Sequence, residues 1–547
     1  MKYGFNFTYR LNGLTKHTSN PKNEDFTVES ANDNGIFTLI LRPEKRVEFI
    51  NFEIKIPYTF DGGSRIFTNG YQSWTVTREY RPNEKMDEFE PRFLGIEKKN
   101  FNPRGIWGAG DLTFHDYPEK SGIFYGYSYG YIRNGDELLL LGSTDESSGY
   151  TIITFDCDGG FIRISKDFDG VIFNDDKKAL SLAVIKGSYD LAFDKYFELM
   201  GIAKPKVSRQ CGYTTWYNYY TGVTEKIVER DLNAISELDT KVDIFQIDDG
   251  YERTVGDWLE PDEKKFPKGM KVIADNIHRN GMKAGLWLAP FAVTPKSHIY
   301  KRHKDWLVRD KNGKAHFASH NWGGFYALDI YNNEVRAYIR KVFDTVLNKW
   351  GYDMVKLDFL YACCIIPIHN KSRGQIMCDA MDFLRECCGD KIILGCGVPL
   401  APAFGKVDFC RIGADVGLNW KNSAFAREDV SVQHTLMNTV FRRHLDGRAF
   451  LNDPDVFLLR DNNIKMPLSQ RKIIARVNSL CGNLLFVSDD VSQYTEEQKK
   501  IFKETVTAPK ADIINAEFTD RDNISIDYRL NGKTDNFTFN LKTGEEQ

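Results

Sequence analysis

One stretch decides the predicted fold, Asp353-Met354-Val355-Lys356-Leu357-Asp358, a short apolar run that contains a lysine and ends in an aspartate. Alternation along a β-strand places Lys356 and Asp358 on the same face. Seven comparable runs occur between residues 211 and 490, and helical periodicity separates most neighbours. Eight repeats of strand and helix are typical of a (β/α)8 barrel, whose chemistry takes place at the carboxyl ends of the strands.

The eight predicted strands share an apolar body and a polar or aromatic end. They cover residues 212–216, 245–249, 284–288, 353–358, 391–396, 407–411, 448–453 and 483–488. The intervening helices are predicted at residues 224–238, 270–279, 333–348 and 470–480. Since the barrel strands are parallel, their ends gather these polar residues at one mouth of the barrel.

Both flanks of the barrel are predicted to be β structure. Short runs rich in β-branched and aromatic residues, punctuated by Gly, Asn and Asp, predict a large β-sandwich before the barrel. Alternating runs at residues 523–529 and 536–540 predict a small antiparallel sheet after it. We therefore expect three domains, covering residues 1–200, 201–507 and 508–547.

The composition argues against several classes of partner. The chain of 547 residues carries 73 basic and 76 acidic side chains, a net charge of −3, and no basic run stands out. Nucleic acids and anionic membranes are therefore poor candidates. No apolar run approaches the roughly 18 residues of a membrane span, and the first residues lack the apolar core of a signal peptide. We expect a cytoplasmic protein whose ten cysteines stay reduced.

Two aspartates at different strand ends are the candidates for catalysis. Lys356 beside Asp358 favours the ionised carboxylate that a nucleophile needs, although a salt bridge at the barrel rim explains the pair equally well. Asp415 closes Arg411-Ile412-Gly413-Ala414-Asp415, where Gly413 allows close approach of a ligand. A second carboxylate nearby would help Asp415 keep the proton of a general acid, whereas a turn aspartate is the simpler explanation.

Other strand ends carry residues suited to a sugar. Asp248 and Asp249 are costly to bury together unless strong donors such as sugar hydroxyls approach them. A metal ion and a helix N-cap are the rival uses of this pair. Trp216, Tyr217 and Trp287 offer aromatic faces for the C–H face of a pyranose, with core packing as the alternative.

Cysteine and histidine give weaker indications. Cys396, between two glycines, is expected to be a small buried residue, with a ligand contact as the alternative. Four histidines, His298, His303, His316 and His320, fall in the insertion after the third strand. Their spacing matches no metal-binding motif, so we expect solvated loop histidines.

A set of motifs, in this order along the chain, resembles the α-galactosidases of glycoside hydrolase family 36 in their shorter bacterial, Thermotoga-like form. The matching segments are Phe67-Thr68-Asn69-Gly70-Tyr71-Gln72-Ser73-Trp74, Trp216-Tyr217-Asn218, Phe245-Gln246-Ile247-Asp248-Asp249-Gly250, Gly256-Asp257-Trp258, Phe266-Pro267-Lys268-Gly269-Met270, Lys356-Leu357-Asp358-Phe359, Leu394-Gly395-Cys396-Gly397, Arg411-Ile412-Gly413-Ala414-Asp415 and Leu451-Asn452-Asp453-Pro454-Asp455. The resemblance implies an N-terminal β-supersandwich, a central (β/α)8 TIM barrel and a small C-terminal antiparallel β-domain. The insert at residues 361–367 departs from the family's pattern.

The resemblance also implies roles for individual residues. Asp358 corresponds to the family's nucleophile and Asp415 to its acid/base residue, while Asp248 and Asp249 correspond to the carboxylates that hold the galactose 4- and 6-hydroxyls. The remaining substrate-binding residues that it implies, or that their place in these motifs suggests, are Trp74, Trp216, Tyr217, Trp287, Lys356, Cys396 and Arg411.

The activity implied is that of a retaining α-galactosidase acting on terminal α-D-galactosyl residues of oligosaccharides such as melibiose or raffinose, with no cofactor and no metal. Retention requires the two carboxyl groups about 5 to 5.5 Å apart. An α-N-acetylgalactosaminidase or a galactosyltransferase on the same fold remains an alternative. A non-catalytic carbohydrate-binding protein is the alternative from a different class, and a metal hydrolase is a further rival.

Overall fold

The N-terminal part of the protein is a pair of antiparallel sheets. The computed structural model describes residues 2–86, 114–115, 118, 120–420 and 430–547. In these ranges one sheet has the strand order Leu14–Thr18, Gly4–Leu11, Val47–Pro57, Phe161–Lys166, Thr151–Asp156 and Ile123–Tyr127, with Ile172–Phe173 also beside Val47–Pro57. The other has the order Phe26–Asp33, Ile36–Pro43, Lys177–Gly187, Glu137–Ser143, Tyr129–Asn134, Arg65–Thr68 and Glu79–Tyr80.

Aromatic residues on alternating strand positions build the core between these sheets. Phe52, Ile54 and Ile56 point inward from one strand, as the two-residue period of a strand requires. Phe7 and Phe26 meet edge to face with their ring centroids 5.3 Å apart. Buried rings of this kind contribute large apolar areas, so they stabilise the sandwich mainly by the hydrophobic effect.

The central part is a barrel of eight parallel strands. In chain order, the first to eighth barrel strands are Gln210–Thr214, Ile244–Ile247, Lys283–Leu288, Met354–Leu357, Ile392–Gly395, Phe409–Arg411, Leu451–Asp453 and Leu484–Val487. The first seven strands pair in sequence order, and the eighth pairs with the first, so only the seventh and eighth strands share no ladder in the barrel. Between the seventh and eighth strands the backbone N–H of Asn483 donates to the carbonyl of Asn452 at 3.0 Å, which nearly closes the barrel.

The helices are short and mostly lie between barrel strands. In the described ranges the α-helices are Tyr189–Leu199, Trp216–Tyr219, Glu225–Ser236, Met270–Arg279, His298–Arg302, Asn333–Phe343, Arg373–Cys388, Leu400–Ala403, Val432–Phe441, Leu468–Cys481 and Glu496–Thr507. Across the described ranges, no helix combines the length and the apolar character that a bilayer crossing needs. An insertion after the third barrel strand forms a small sheet of Ala292–Val293, Phe325–Ala327 and Phe317–Ser319.

A four-stranded antiparallel sheet ends the chain, with strands Asp512–Phe518, Asn523–Leu530, Lys533–Asn540 and Glu545–Glu546. Phe518 stacks on Phe441 of a barrel helix with ring centroids 5.4 Å apart. The indole N–H of Trp420 donates to the carbonyl of Leu541 at 2.8 Å. These contacts attach the sheet to the outside of the barrel.

The predicted fold class is confirmed, and every predicted barrel strand overlaps an observed one. The difference that moves a candidate site residue is at the first strand, which ends at Thr214, whereas the prediction extended it to Trp216. Thr215 has helical backbone angles, and Trp216 begins the helix Trp216–Tyr219. A period of two in a five-residue run cannot fix the strand end, so Trp216 lies in a helix and not in the strand to which the prediction assigned it. The three domain boundaries stay a prediction.

Candidate active site

Asp358 lies one residue beyond the fourth barrel strand and is almost completely buried. One carboxylate oxygen accepts the indole N–H of Trp287 at 3.0 Å, and the other accepts the backbone N–H of Phe359 at 2.9 Å. Phe359 itself has left-handed backbone angles, φ 54° and ψ 32°, which a residue with a bulky side chain seldom adopts. Strain of this kind persists where the surroundings fix it, and it is found here directly beside the candidate nucleophile.

Lys356 connects Asp358 with Asp248. Its ammonium lies 2.9 Å from Oδ2 of Asp248 and 3.8 Å from Oδ2 of Asp358, so the same-face prediction for Lys356 and Asp358 agrees with the geometry. Burial disfavours the ammonium, but the charges of Asp248 and Asp358 outweigh it and raise the pKa of Lys356. Gln246 also donates to Asp248, from Nε2 at 2.6 Å. Asp248 is therefore held rigidly by a cation and an amide.

Arg411 organises a second group of carboxylates at the ends of the sixth and seventh strands. Its guanidinium donates to Asp453 at 3.1 Å and to Asp415 at 3.1 Å, and lies 2.9 Å from Asp455. Arg411, Asp453 and Asp455 are buried, whereas the side chain of Asp415 is 35% exposed. Asp415 is thus the member of this group that a ligand can reach.

Asp455 joins the Asp415 loop to the helix Trp216–Tyr219 that follows the first barrel strand. It accepts the backbone N–H of Val416 at 2.7 Å and the hydroxyl of Tyr217. Burial raises the pKa of Asp455 to about 7; the guanidinium of Arg411 opposes this shift, and the charge of Asp415 adds to it. The carboxyl of Asp455 therefore changes charge near neutral pH, next to the residue predicted to be the acid.

Cys396 lies between the two groups. It is buried at the end of the fifth strand, and its pKa is raised well above the usual value by burial and by the charge of Asp358, with Arg411 and Lys356 opposing. Trp74, from the N-terminal sandwich, donates its indole N–H to the sulfur of Cys396 at 3.5 Å. The charges of Asp358 and Lys356 on one side and of Arg411 on the other therefore both affect the thiol of Cys396. Trp74 of the sandwich contacts the same thiol, so the sandwich contributes to the site.

The segment that carries Trp74 is fixed by backbone hydrogen bonds to the barrel. The N–H of Ser73 donates to the carbonyl of Val398 at 2.9 Å. The guanidinium of Arg442, fully buried, donates to the carbonyl oxygens of Gln72 at 3.0 Å, Ser73 at 2.6 Å and Ile412 at 2.8 Å. Since Ile412 belongs to the Asp415 loop, Arg442 ties that loop to the Trp74 segment.

Two of the predicted aromatic residues differ in their exposure. Trp287 is only 2% exposed and its indole N–H is donated to Asp358, so its ring does not offer an open face to a ligand. Trp216 is half-buried, and its ring meets Tyr220 edge to face at 5.1 Å. Tyr220 is 40% exposed, and the charge of Asp415 contributes to its raised pKa after burial and the opposing Arg460.

Asp249 is buried beside residues that the sequence analysis did not single out. Oδ2 of Asp249 accepts the indole N–H of Trp322 at 2.8 Å, and its carboxyl also contacts that of Glu252. Trp322 lies in the insertion after the third strand, where only histidines were considered. Glu252 was overlooked although three carboxyl residues in Asp248-Asp249-Gly250-Tyr251-Glu252 are an unusual density for a strand end.

One cluster of possible metal ligands occurs in the described part of the chain, formed by Asp257, Glu260 and His298. Asp257 accepts the backbone N–H groups of His298 at 2.8 Å and Ile299 at 3.1 Å, so it caps the helix His298–Arg302. The ring of His298 contacts Glu260 at 3.1 Å. The cluster is explained by helix capping, and His298 is correspondingly a helix residue rather than a loop residue.

A family model and several curated proteins match parts of the chain. A family model described as Melibiase matches residues 214–374. The alpha-galactosidase Mel36A of Lactobacillus acidophilus is 32% identical over 124 residues, which are 21% of this chain and 16% of that protein. The A type blood alpha-D-galactosamine galactosaminidase of Flavonifractor plautii is 32% identical over 140 residues, 24% of this chain and 13% of that protein. The matched segments thus span less than a fifth of these curated relatives.

Solved structures match over much more of the chain. The alpha-galactosidase TtGalA from Thermus thermophilus, in complex with stachyose, has a TM-score of 0.68 and 26% identity, covering 88% of this chain and all of that chain. The GH36 alpha-galactosidase AgaA from Geobacillus stearothermophilus has a TM-score of 0.60 and 14% identity, covering 92% of this chain and 72% of that chain. At 14% identity the second match shows the fold alone.

The fold and the matches together make the chain similar to one class of protein, the glycoside hydrolases built on a (β/α)8 barrel with a β-sandwich in front of it. Within that class the chain is similar to the α-galactosidases of family 36, so the resemblance predicted from its motifs is confirmed.

Proposed function

We propose that the protein is a retaining α-galactosidase that acts on oligosaccharides with a terminal α-D-galactosyl residue. The observation that carries the proposal is the arrangement of two carboxylates from different strand ends, Asp358 held by Trp287 and Asp415 held by Arg411. The charge of Asp358 and that of Arg411, the partner of Asp415, both act on the buried thiol of Cys396. The galactosides named in the matched structures support the choice of sugar.

In the proposed first step Asp358 attacks the anomeric carbon while Asp415 gives its proton to the glycosidic oxygen. A β-linked galactosyl–enzyme forms and the leaving group departs. In the second step Asp415 takes a proton from water, which attacks the same carbon and releases galactose with its α configuration kept. The partly exposed position of Asp415 suits a group that must reach both the leaving group and water.

The remaining proposed roles follow from the contacts. Asp248 and Asp249, buried and already oriented by donors, accept hydroxyls at the far end of the sugar. Trp74, Cys396 and Lys356 line the middle of the site. The other predicted binding residues are Trp216, Tyr217, Trp287 and Arg411. The cytoplasmic location and the absence of a cofactor stay predictions.

The deciding experiment is hydrolysis of nitrophenyl α-galactoside with the first-formed product anomer followed by NMR. We expect α-galactose to appear first and to mutarotate afterwards. First-formed β-galactose would show inversion and remove the nucleophile role of Asp358. Binding of galactose without any product would favour a carbohydrate-binding protein.

An α-N-acetylgalactosaminidase is the second candidate, because one curated relative is named as a galactosaminidase. Trp74 and Cys396 crowd one side of the site, and a side chain at Gly397 would come within 2.8 Å of the Trp74 ring. We expect this crowding to disfavour an acetamido group. The ratio of kcat/KM for nitrophenyl α-galactoside and its N-acetyl counterpart decides between the two sugars.

A further inference from the structure

The side chain of Trp322 reaches the site from the insertion after the third barrel strand. Its indole N–H donates to Oδ2 of Asp249 at 2.8 Å. Asp249 is only 4% exposed and lies two residues beyond the second barrel strand, Ile244–Ile247. A carboxylate at a barrel strand end is therefore oriented by a residue that lies outside the barrel strands.

The backbone at Trp322 has a conformation that a bulky residue seldom adopts. Trp322, Gly323 and Gly324 have positive φ angles of 55°, 79° and 111° in succession. A non-glycine residue in this region persists only where its surroundings hold it, and such residues are concentrated at functional sites. The contacts of the indole must therefore stabilise this turn.

Three aromatic rings pack around the indole of Trp322. The ring centroids of Phe359, Phe325 and Trp287 lie 4.6 Å, 5.2 Å and 6.0 Å from it. Two of these neighbours also belong to the nucleophile's surroundings, since Phe359 follows Asp358 and Trp287 donates to it. Packing thus fixes the apolar part of the indole, and its single N–H donor is used on Asp249.

The two aspartates at the end of the second barrel strand are oriented by different parts of the protein. Asp248 lies 2.9 Å from the ammonium of Lys356, which also lies 3.8 Å from Asp358. Asp248 is therefore linked to the proposed nucleophile, whereas Asp249 is held by the insertion. The 6-hydroxyl is the one galactose hydroxyl carried by a carbon outside the ring, which suits the carboxylate that is held from the edge of the site.

We propose that Trp322 is a positioning residue that fixes Asp249 for the 6-hydroxyl of the galactosyl residue and so makes the enzyme select sugars that carry this hydroxyl. The identity of the sugar in this inference rests on the proposed function. A carboxylate has several acceptor positions, so Asp249 can accept from Trp322 and from a sugar hydroxyl together. A sugar without the 6-hydroxyl would leave the buried carboxylate short of a donor, which is a strong basis for selection.

Kinetics on two substrates test the proposal. Nitrophenyl α-D-galactoside carries the 6-hydroxyl, and nitrophenyl 6-deoxy-α-D-galactoside differs only in lacking it. In wild type, kcat/KM should favour the galactoside by at least about 100-fold. Trp322→Phe keeps a ring for packing but removes the N–H donor, so this ratio should fall by about 10-fold or more, through a loss on the galactoside. A ratio equal to that of wild type would overturn the proposal.

Trp306→Phe is the matched control. Trp306 belongs to the same insertion and is 6% exposed, and its indole N–H donates to Glu334 at 2.9 Å. The substitution removes the same kind of hydrogen bond from the insertion without touching Asp249, so it should leave the substrate ratio unchanged. Equal falls in the ratio for Trp306→Phe and Trp322→Phe would mean that the integrity of the insertion decides selection, and would contradict the proposal.

A double substitution tests whether Trp322 acts through Asp249. Asp249→Asn should itself lower the substrate ratio. Adding Trp322→Phe to Asp249→Asn should lower the ratio no further, because residues that act through one contact have non-additive effects. Additive effects of the two substitutions would show that Trp322 acts independently of Asp249 and would refute the positioning role.

Calorimetric binding separates this inference from the proposed function. Wild type should bind D-galactose more tightly than 6-deoxy-D-galactose, and Trp322→Phe should reduce the difference. A wild type that hydrolyses neither glycoside but has this binding pattern would refute the proposed function and support the role of Trp322. A wild type that hydrolyses the galactoside, with a Trp322→Phe variant that keeps the full preference for the 6-hydroxyl, would support the proposed function and refute the role of Trp322.

Discussion

At the scale of single residues, the site depends on how each carboxylate is held. Asp358 is fixed by a ring N–H and a backbone N–H, while Asp415 has one guanidinium contact and is partly open to solvent. The two donors fix the position of the Asp358 carboxylate, as a nucleophile needs for in-line attack. The partial exposure of Asp415 suits an acid/base residue, which must contact first the leaving group and then water.

Replacing Asp358 tests the nucleophile. Asp358→Ala should lower kcat by at least about 10³-fold, because the covalent intermediate can no longer form. The cavity left by the missing carboxylate should admit azide, and turnover should recover with β-galactosyl azide as the product. Asp353→Ala, at the opposite end of the same strand, is the matched control and should keep its activity. Wild-type turnover in Asp358→Ala would contradict the assignment.

Asp455 gives a pH-dependent prediction. Its pKa in the folded protein is about 7, above the ordinary value of 3.8, so the folded state is penalised progressively as pH rises between those values. Asp455→Asn removes the titrating group and keeps a residue that tolerates the positive φ of 76°. Relative to the variant, wild type should lose about 3 kcal/mol of unfolding free energy between pH 4 and pH 7. Urea unfolding at both pH values measures this, and parallel pH dependence would contradict it.

How much of the site the sequence predicted depends on where its residues lie along the chain. Asp248, Lys356, Asp358 and Arg411 lie in or beside barrel strands, and parallel strands bring such positions together whatever the loops do. Trp322 lies in an insertion with no periodic pattern, so nothing in the sequence indicated that its indole reaches Asp249. The insertion after the third barrel strand could be recognised from the sequence, but the course of its backbone could not be predicted.

At the scale of elements, the decisive contact is between the Trp74 segment and the barrel helix Val432–Phe441 with the turn that follows it. Arg442, immediately after that helix, donates to three carbonyl groups from two different segments. Strand alternation and helix periodicity describe each element separately. They contain no information on which buried arginine joins two of them, so this contact was not predicted.

Removing Arg442 should therefore affect both stability and binding. Arg442→Ala leaves three buried carbonyl groups without a strong donor, at a cost of about 3–5 kcal/mol of unfolding free energy. It should also raise KM, because the Trp74 segment and the Asp415 loop lose their common partner. Arg448→Ala, whose partners Asp190 and Asp194 are about 60% exposed, should cost less than about 1 kcal/mol. Equal losses in the two variants would show that Arg442 has no special role.

At the scale of the whole molecule, the three parts meet where the C-terminal sheet touches the barrel. Phe518 stacks on Phe441, and the guanidinium of Arg78 from the N-terminal part lies 5.8 Å from the Phe518 ring. Glu517 accepts from Arg133 of the sandwich at 3.2 Å. The (β/α)8 architecture and its β flanks were predictable from periodicity, whereas this three-way contact joins residues that are distant in sequence.

Phe518 should matter for stability and leave catalysis unchanged. Phe518→Ala removes a half-buried ring and should lower the unfolding free energy by about 2 kcal/mol, with KM and kcat near wild type. Ile514→Ala, on the same strand but 49% exposed, should cost less than about 0.5 kcal/mol. Thermal unfolding monitored by circular dichroism, together with a standard assay of each variant, measures both effects. A changed KM in Phe518→Ala would mean that the sheet influences the site.

The origin of Trp74 has an evolutionary consequence. Because the side chain beside Cys396 is supplied by the sandwich, a barrel excised or duplicated alone would carry both proposed catalytic carboxylates and still lack one wall of the proposed sugar pocket. Exchanging the front module between related enzymes should then alter substrate preference without a single replacement in the barrel.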